Sequence, residues 1–264
     1  MSMTAALATF AAFGIQTAAV PTKILSTQSE GFGQPAGLDV TNWMDQAFTH
    51  WQQISDLNIS SAVVGYVGDS KTCRQLGNQL ANLKLKRVLI DPVMGDRGKM
   101  YAGFDNDYLD SIKQLVKFAT VITPNVTELG LLSHVTVTEH SDDAQLIKAI
   151  RACKLTATII VTGIKCDGAI GSCFLSDGKL IWISSPLIPG HFYGTGDLFA
   201  ALLCGYLAFE MNFEAAVKRA VFGTYEAVVQ TNQLPENERK YGLDLTKTLY
   251  NVARFTLGQN REEV

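Results

Sequence analysis

A short glycine turn that ends in one acid stands immediately before an uncharged apolar run. Gly194, Thr195 and Gly196 form the turn, Asp197 follows it, and residues 198–207 are long enough for about three helical turns. Glycines before a helix let backbone N–H groups approach an anion, and the helix dipole adds partial positive charge there. An acid in the first helical turn is also what ordinary helix capping supplies, so an anion site and a plain cap both remain open.

Oxygen-bearing side chains form a second group earlier in the chain. Asp91 and Asp96 lie five residues apart, and Asn125 stands three residues, about one helical turn, before Glu128. Carboxylate and amide oxygens are the ligands that Mg²⁺ accepts in proteins. These residues are therefore candidate ligands of a magnesium ion.

An anion-holding turn, an adjacent acid and a carboxylate-held Mg²⁺ together fit phosphoryl transfer, which asks a protein mainly for positioning and charge neutralisation. Asp197 would accept the proton of an attacking hydroxyl group. We expect the helix dipole to hold the pKa of Asp197 low and make it a weak base, which a loose transition state tolerates.

Strands and helices alternate along the chain, and the predicted strands are continuously apolar. This pattern predicts an α/β fold with a mostly parallel sheet covered on both faces by helices. Ligands bind such sheets beyond the carboxyl ends of the strands. The predicted strands are residues 15–20, 61–66, 87–90, 119–123 and 158–162, with a hairpin about Asp177-Gly178. The polar and glycine clusters expected on one rim are residues 26–33, 65–68, 91–96, 125–128, 162–163 and 194–197.

Composition narrows the class of protein. A net charge of −3 and scattered basic residues give no field that would attract nucleic acid or anionic lipid. No apolar run approaches the roughly 18 residues that span a bilayer, so no membrane segment is expected. The five cysteines show no C-x-x-C spacing, which favours reduced thiols and a cytoplasmic protein.

Several motifs, read together, resemble one enzyme family. The segment 194–200 resembles the signature of the ribokinase-like superfamily, and residues 125–128 are similar to its Asn-x-x-Glu motif. Residues 91–96, with 123–125, are similar to the vitamin-kinase branch, while residues 26–32 and 65–66 resemble the substrate loops of pyridoxal kinases. The resemblance covers about residues 2–230 and implies a single ribokinase-like domain over 1–264, a three-layer α/β/α architecture.

The resemblance also implies an activity and roles for individual residues. It implies ATP-dependent phosphorylation of the 5′-hydroxyl of pyridoxal, pyridoxine or pyridoxamine by a homodimer that uses Mg²⁺ and commonly K⁺. Asp197 matches the catalytic base and Gly194 to Gly196 the anion hole. Further matched positions are Asp91, Asn125, Glu128, Thr162 and Gly163 for the nucleotide, Asp91, Asp96 and Glu128 for the metal, and Ser29 and Tyr66 for the pyridine ring.

One departure from the family pattern leaves alternatives open. Members of the family begin with a strand and a serine- and glycine-containing loop, whereas this sequence starts at Met1 inside the first helix, so that strand is expected to be absent. A hydroxymethylpyrimidine (phosphate) kinase is one alternative, although that branch usually carries cysteine at the position of Asp197. A catalytically silent ligand-binding relative is the other.

Overall fold

The chain was analysed as a computed structural model, which describes residues 2–28 and 31–262. Its helices are α1 (Ser2–Ala12), α2 (Thr41–Gln52), α3 (Ser70–Asn82), α4 (Asn106–Leu115), α5 (Val126–Ser133), α6 (Asp143–Ala152), α7 (Thr195–Ala208), α8 (Phe213–Thr231), α9 (Glu236–Arg239) and α10 (Thr246–Glu262). Its strands are β1 (Lys23–Leu25), β2 (Gly37–Asp39), β3 (Ser61–Val64), β4 (Arg87–Ile90), β5 (Gly95–Asp96), β6 (Lys99–Met100), β7 (Val121–Ile122), β8 (Thr158–Cys166), β9 (Ala169–Ser176) and β10 (Lys179–Pro186).

A six-stranded sheet with the order β10-β9-β8-β7-β4-β3 forms the centre of the fold. The pairs β3–β4, β4–β7 and β7–β8 are all parallel. A two-residue turn at Asp167-Gly168 connects β8 to β9, and one at Asp177-Gly178 connects β9 to β10. The positive φ angles of these turn residues are typical of type I′ hairpins. The predicted α/β fold, with a mostly parallel sheet flanked by helices, is confirmed.

The chain divides into two compact units. One unit comprises residues 20–166 and 172–182, and it contains β3, β4, β7 and helices α2 to α6. Its apolar core includes Met44, Ile90, Ile112, Ile122 and Val161, all fully or almost fully buried. Helices α3 and α4 begin at Asp69 and Asp105, whose carboxylates accept backbone N–H bonds as N-caps. Strands β3, β4 and β7 are parallel, so the segments after them share one edge of the sheet.

The other unit comprises residues 1–19, 167–171 and 183–264. Here α7 packs against α1 and α8, and α10 packs against α1 and α8. The uncharged run predicted after Asp197 forms most of α7, and Leu198, Ala201 and Leu202 are completely buried. The ring of Phe13 meets Tyr206 edge-on at 4.9 Å between ring centres, and Phe255 completes the aromatic cluster. This packing anchors the C-terminal part of α7 within the unit.

Parts of the fold near the N-terminus differ from the prediction. The strand predicted at residues 15–20 is wrong: this segment lies outside every strand, and Gln16, Thr17 and Ala18 are exposed, so pairing would bury little apolar surface. Residues 26–28 and 31–33 form a loop as predicted, but β1 and β2 pair antiparallel on either side of it. In the described part of the chain, no helix combines the length and apolar character needed to cross a bilayer.

Candidate active site

The N-terminus of α5 carries the first group of predicted site residues, all in the unit of residues 20–166. Asn125 is the N-cap, and its side-chain oxygen accepts a hydrogen bond of 3.0 Å from the backbone N–H of Glu128. Glu128 Oε2 accepts one of 2.9 Å from the N–H of Asn125. This reciprocal pair is a capping box, which satisfies backbone donors that a helix end leaves unpaired.

The same helix end fastens a small hairpin made by β5 and β6. Glu128 Oε1 accepts a 3.0 Å hydrogen bond from the N–H of Met94, and Asn125 Nδ2 donates one of 2.8 Å to the carbonyl of Gly95. Thr127 Oγ1 accepts a 2.8 Å bond from the N–H of Gly98 at the tip. A Cβ atom at Gly95 would lie 2.5 Å from the carbonyl oxygen of Lys99, so only glycine fits there. Three side-chain hydrogen bonds from the first turn of α5 therefore hold the hairpin.

Glu128 is buried almost completely, with 2% of its surface exposed. Burial disfavours the charged carboxylate and raises the pKa of Glu128 to about 7, although the backbone N–H groups of Asn125 and Met94 oppose the shift. The nearby carboxylate of Asp96 adds to the rise. A cation bound close to Glu128 would favour its ionised form.

The two aspartates predicted to lie near a metal occupy different surroundings. Asp91 directly follows β4 and is 8% exposed, and its N–H donates to the carbonyl of Val64. Asp96 lies on the hairpin, where its carboxylate accepts the N–H of Arg97 at 2.8 Å. Among the described residues, no three His, Cys, Asp or Glu side chains are grouped closely enough to hold a metal. An ion bound near these aspartates would therefore need further ligands such as water.

Thr162 and Gly163 lie beside Asn125, but not at a strand end as predicted. Strand β8 continues to Cys166, and Gly163 adopts a φ of 73° inside it. Thr162 forms a parallel bridge with Asn125, and its N–H donates to the carbonyl of Pro124 at 2.9 Å. The positive φ indicates a local bulge, which commonly re-aims a strand next to a functional site.

The predicted ring-contacting residues are only partly described. Tyr66 follows β3 and is half-buried, and its carbonyl accepts a 2.9 Å hydrogen bond from Thr22 Oγ1. Its ring centre lies 5.9 Å from that of Phe104. Ser29 lies outside the described residues.

The glycine turn before α7 belongs to the unit of residues 1–19, 167–171 and 183–264. Gly194 is the N-cap of α7 with a left-handed backbone, and no side chain caps this helix end. A Cβ atom at Gly194 would lie 3.9 Å from Asp197 Oδ2, so the carboxylate is near the turn without capping it. Asp197 lies in the first turn of α7, as both interpretations of this acid predict, and the first-turn N–H groups suit an anion.

The prediction of a low pKa for Asp197 is wrong. Burial raises the pKa of Asp197 above its ordinary value, while a hydrogen bond from the Ser2 hydroxyl opposes the rise. Loss of water around the carboxylate disfavours its charged form, and this effect exceeds that of the Ser2 hydrogen bond. A raised pKa makes Asp197 a better proton acceptor than an exposed aspartate.

The loop before the turn is held by Arg239. Its Nε donates to the carbonyl of Leu234 at 2.9 Å, and its other end donates to that of Asn232 at 2.8 Å. The guanidinium carbon lies 5.9 Å from the ring centre of Phe192. Arg239 thus links the end of α8 to the segment that leads into the glycine turn.

Sequence reasoning missed the residues that support the site. Thr127 sits within the Asn-x-x-Glu motif, and its spacing from Asn125 carries no separate signal. Phe104 contacts Tyr66 and Arg239 contacts Phe192. These partners are distant in sequence, so no local pattern predicts the contacts. The aromatic pair at positions 104 and 108 has helical spacing and was the one available hint.

Comparison with known proteins gives a consistent set of relatives. A family model described as phosphomethylpyrimidine kinase matches residues 3–241. A pyridoxal kinase from Arabidopsis thaliana is 27% identical over 76% of this chain and 66% of its own length. The crystal structure of pyridoxal kinase from Lactobacillus plantarum is 32% identical, with a TM-score of 0.90 over 97% of this chain and 92% of that chain.

A further solved structure, pyridoxal kinase from Leishmania donovani in complex with ADP and pyridoxamine, shares the fold at a TM-score of 0.79 and 22% identity, over 94% of this chain and 89% of that chain. Against the curated relatives that match first, this chain spans only 35% to 64% of the relative's own length.

Proposed function

Because the chain belongs to the phosphomethylpyrimidine kinase family, we propose that it transfers the γ-phosphoryl group of ATP to the 5′-hydroxyl of a B6 vitamer. The likeness to the Lactobacillus plantarum pyridoxal kinase, which extends over nearly the whole of both chains, carries this choice of substrate. The accepted vitamers would be pyridoxal, pyridoxine and pyridoxamine.

In the proposed reaction the 5′-hydroxyl oxygen forms a bond to the γ-phosphorus while the bond from that phosphorus to the β,γ-bridging oxygen breaks. The hydroxyl proton passes to the Asp197 carboxylate, and ADP leaves with the bridging oxygen. The first-turn N–H groups of Thr195 and Gly196 would stabilise negative charge on the transferred group. The raised pKa of Asp197 and the uncapped helix end both support these roles.

The N-terminus of α5 would hold the nucleotide. Asn125, Thr162 and Gly163 would contact its phosphates, and Glu128 would keep the hairpin in place. Asp91 and Asp96 would hold Mg²⁺, with Glu128 close by. When bound, Mg²⁺ supplies positive charge that offsets the charge of the phosphates.

Tyr66 and Ser29 would lie against the pyridine ring. A requirement for K⁺, a homodimeric state and a cytoplasmic location belong to the same proposal. All five cysteines are free thiols, which is compatible with a reducing compartment.

A hydroxymethylpyrimidine (phosphate) kinase is the second candidate, because the matching family model carries the phosphomethylpyrimidine name. Asp197 favours the first candidate, since that branch usually has cysteine at this position. A catalytically silent ligand-binding relative is the third hypothesis. The position of Asp197 in the first turn of α7, where it could serve as a base, argues against a silent protein.

The test is a direct comparison of substrates. Purified protein with ATP and Mg²⁺ is assayed with pyridoxal and with hydroxymethylpyrimidine, and ADP release gives kcat/KM for each. The proposal requires a higher kcat/KM for pyridoxal. Faster turnover of hydroxymethylpyrimidine would favour the second candidate, and turnover of neither would favour the silent relative.

A further inference from the structure

Three aromatic rings form a row in the unit of residues 20–166, and the proposed function uses only the first of them. The rings of Phe104 and Tyr108 are stacked, with 3.8 Å between centres and 14° between planes. Phe104 also lies 5.9 Å from Tyr66, at an interplanar angle of 32°. Tyr108 is 2% exposed, whereas Tyr66 and Phe104 are half-buried. The row therefore runs from the core to Tyr66.

Tyr66 is also held from its other sides. A Cβ atom at Gly68 would lie 3.3 Å from Tyr66 Cε1 and 2.9 Å from Lys23 Cδ, so the tyrosine ring and the lysine stem both lie against this glycine. Thr22 fixes the backbone of Tyr66 through its hydroxyl. Phe104 adds an aromatic contact that bears on the orientation of the tyrosine ring.

Phe104 is connected to the hairpin on α5. The N–H of Tyr101 donates to the carbonyl of Met94 at 3.0 Å, which closes the hairpin base, and the N–H of Phe104 donates to the carbonyl of Tyr101 at 3.2 Å. The N–H of Met94 is itself bonded to Glu128. Residues 94–104 therefore connect Glu128, in the proposed nucleotide motif, to the ring that contacts Tyr66.

We propose that Phe104 is a positioning residue for the vitamer: it holds the ring of Tyr66 in the orientation that receives a flat heteroaromatic substrate. This inference rests on the proposed function and on the role of Tyr66 within it. Aromatic pairs prefer defined offset or tilted geometries, so a fixed Phe104 restricts the tyrosine ring. A rigid aromatic surface loses little conformational entropy when it binds a flat ring.

The alternative is that Phe104 only stabilises the start of α4. Phe104 precedes Asp105, the N-cap of α4, and stacks on Tyr108 at N3, one position before the N4 residue that a hydrophobic staple uses. A staple would affect the stability of the protein and leave the Michaelis constant for the vitamer unchanged. The two roles therefore give different kinetic results.

The experiment compares Phe104→Leu with the wild-type protein in steady-state kinetics. We expect the KM for pyridoxal to rise about three- to tenfold, the range that loss of one aromatic pair gives, while kcat and the KM for ATP change less than about twofold. Phe104→Tyr keeps the ring and is expected to restore the KM to within about twofold. Phe118→Leu, at a 40% exposed position of the same unit, is the matched control and should behave as wild type.

A double-mutant cycle adds a second measurement. If Phe104 acts through Tyr66, adding Phe104→Leu to Tyr66→Leu should raise the KM for pyridoxal by less than about twofold further. Multiplicative effects of the two substitutions would overturn the inference. Should the leucine variant fold poorly, Phe104→Met gives the same comparison, because methionine fills similar volume without a ring.

The outcomes distinguish a failure of the proposed role of Phe104 from a failure of the proposed kinase function. A wild-type protein that phosphorylates pyridoxal, with Phe104→Leu showing a lower melting temperature and an unchanged KM, overturns the inference and leaves the proposed function standing. A wild-type protein that does not phosphorylate pyridoxal overturns the proposed function, and the inference with it.

Discussion

Asp197 combines two properties that bear on catalysis: a place in the first turn of α7 and a pKa that partial burial raises. We predict that Asp197→Asn lowers kcat by about 10²- to 10⁴-fold, because the amide cannot accept the hydroxyl proton. Affinity for ATP, measured by equilibrium titration, should change less than about twofold. Turnover equal to wild type would remove Asp197 from the role of base.

The pKa of Asp197 also predicts a dependence of stability on pH. Because the folded-state pKa is raised, the folded chain binds more protons than the unfolded chain between the ordinary and the raised pKa. The free energy of unfolding therefore falls as pH rises through that window. We predict that Asp197→Asn, which cannot ionise, is more stable than wild type at neutral pH.

This gain in stability should shrink to nothing as the pH is lowered below the ordinary range of an aspartate. Denaturant unfolding of both proteins across a pH series measures it. A wild-type protein that is more stable than Asp197→Asn at neutral pH, by a margin that disappears on acidification, would show that the pKa of Asp197 is lowered in the folded protein.

At the scale of elements, the hairpin of β5 and β6 depends on single hydrogen bonds to α5. Thr127→Val keeps the shape of the side chain but removes the acceptor of the Gly98 N–H bond. If the hairpin supports nucleotide binding, we expect the KM for ATP to rise about two- to tenfold, the equivalent of one lost hydrogen bond.

Thr49→Val is the matched control for this change. Thr49 lies on α2 in the same unit, and its exposed hydroxyl bonds only to its own helix at the carbonyl of Asp45. The control should leave the KM for ATP unchanged. Equal values in the two variants would show that the contact between Thr127 and the hairpin does not affect the nucleotide.

Helix α7 is packed too closely at one glycine to accept a side chain. A Cβ atom at Gly205 would lie 2.1 Å from Phe13 Cε2, so Gly205→Ala should lower the free energy of unfolding by about 1–3 kcal/mol. Gly258→Ala on α10, where nothing lies within 4 Å, should instead raise it by about 0.4–1 kcal/mol. Denaturant titration measures both, and no difference between the two variants would contradict this account of the packing.

At the scale of the whole molecule, features with a strong local pattern were predictable. The Asp177-Gly178 dipeptide predicts the β9–β10 hairpin, and the buried strands β3 and β4 follow from their apolar runs. Strands of two or three residues, such as β5, have no periodicity to detect. The run at residues 15–20 is apolar enough to predict a strand but pairs with no strand, and that outcome depends on tertiary packing.

In the candidate site too, local sequence predicts some features, and others depend on the folded chain. Residue types and spacing indicate Asp197, Asn125 and Glu128, since backbone chemistry at a helix end is local. The raised pKa of Asp197 depends on enclosure by the folded chain, which no local pattern reports. The expectations of a single domain and of a homodimer stay predictions.

Transfer of labelled phosphate from γ-labelled ATP is the measurement that tests the central claim most directly. The assay compares pyridoxal with 5′-deoxypyridoxal, which has the same ring and lacks the accepting hydroxyl. The account predicts label in pyridoxal 5′-phosphate, none with the deoxy compound, and almost none with Asp197→Asn. Label in the deoxy compound, or no label in pyridoxal, would contradict it.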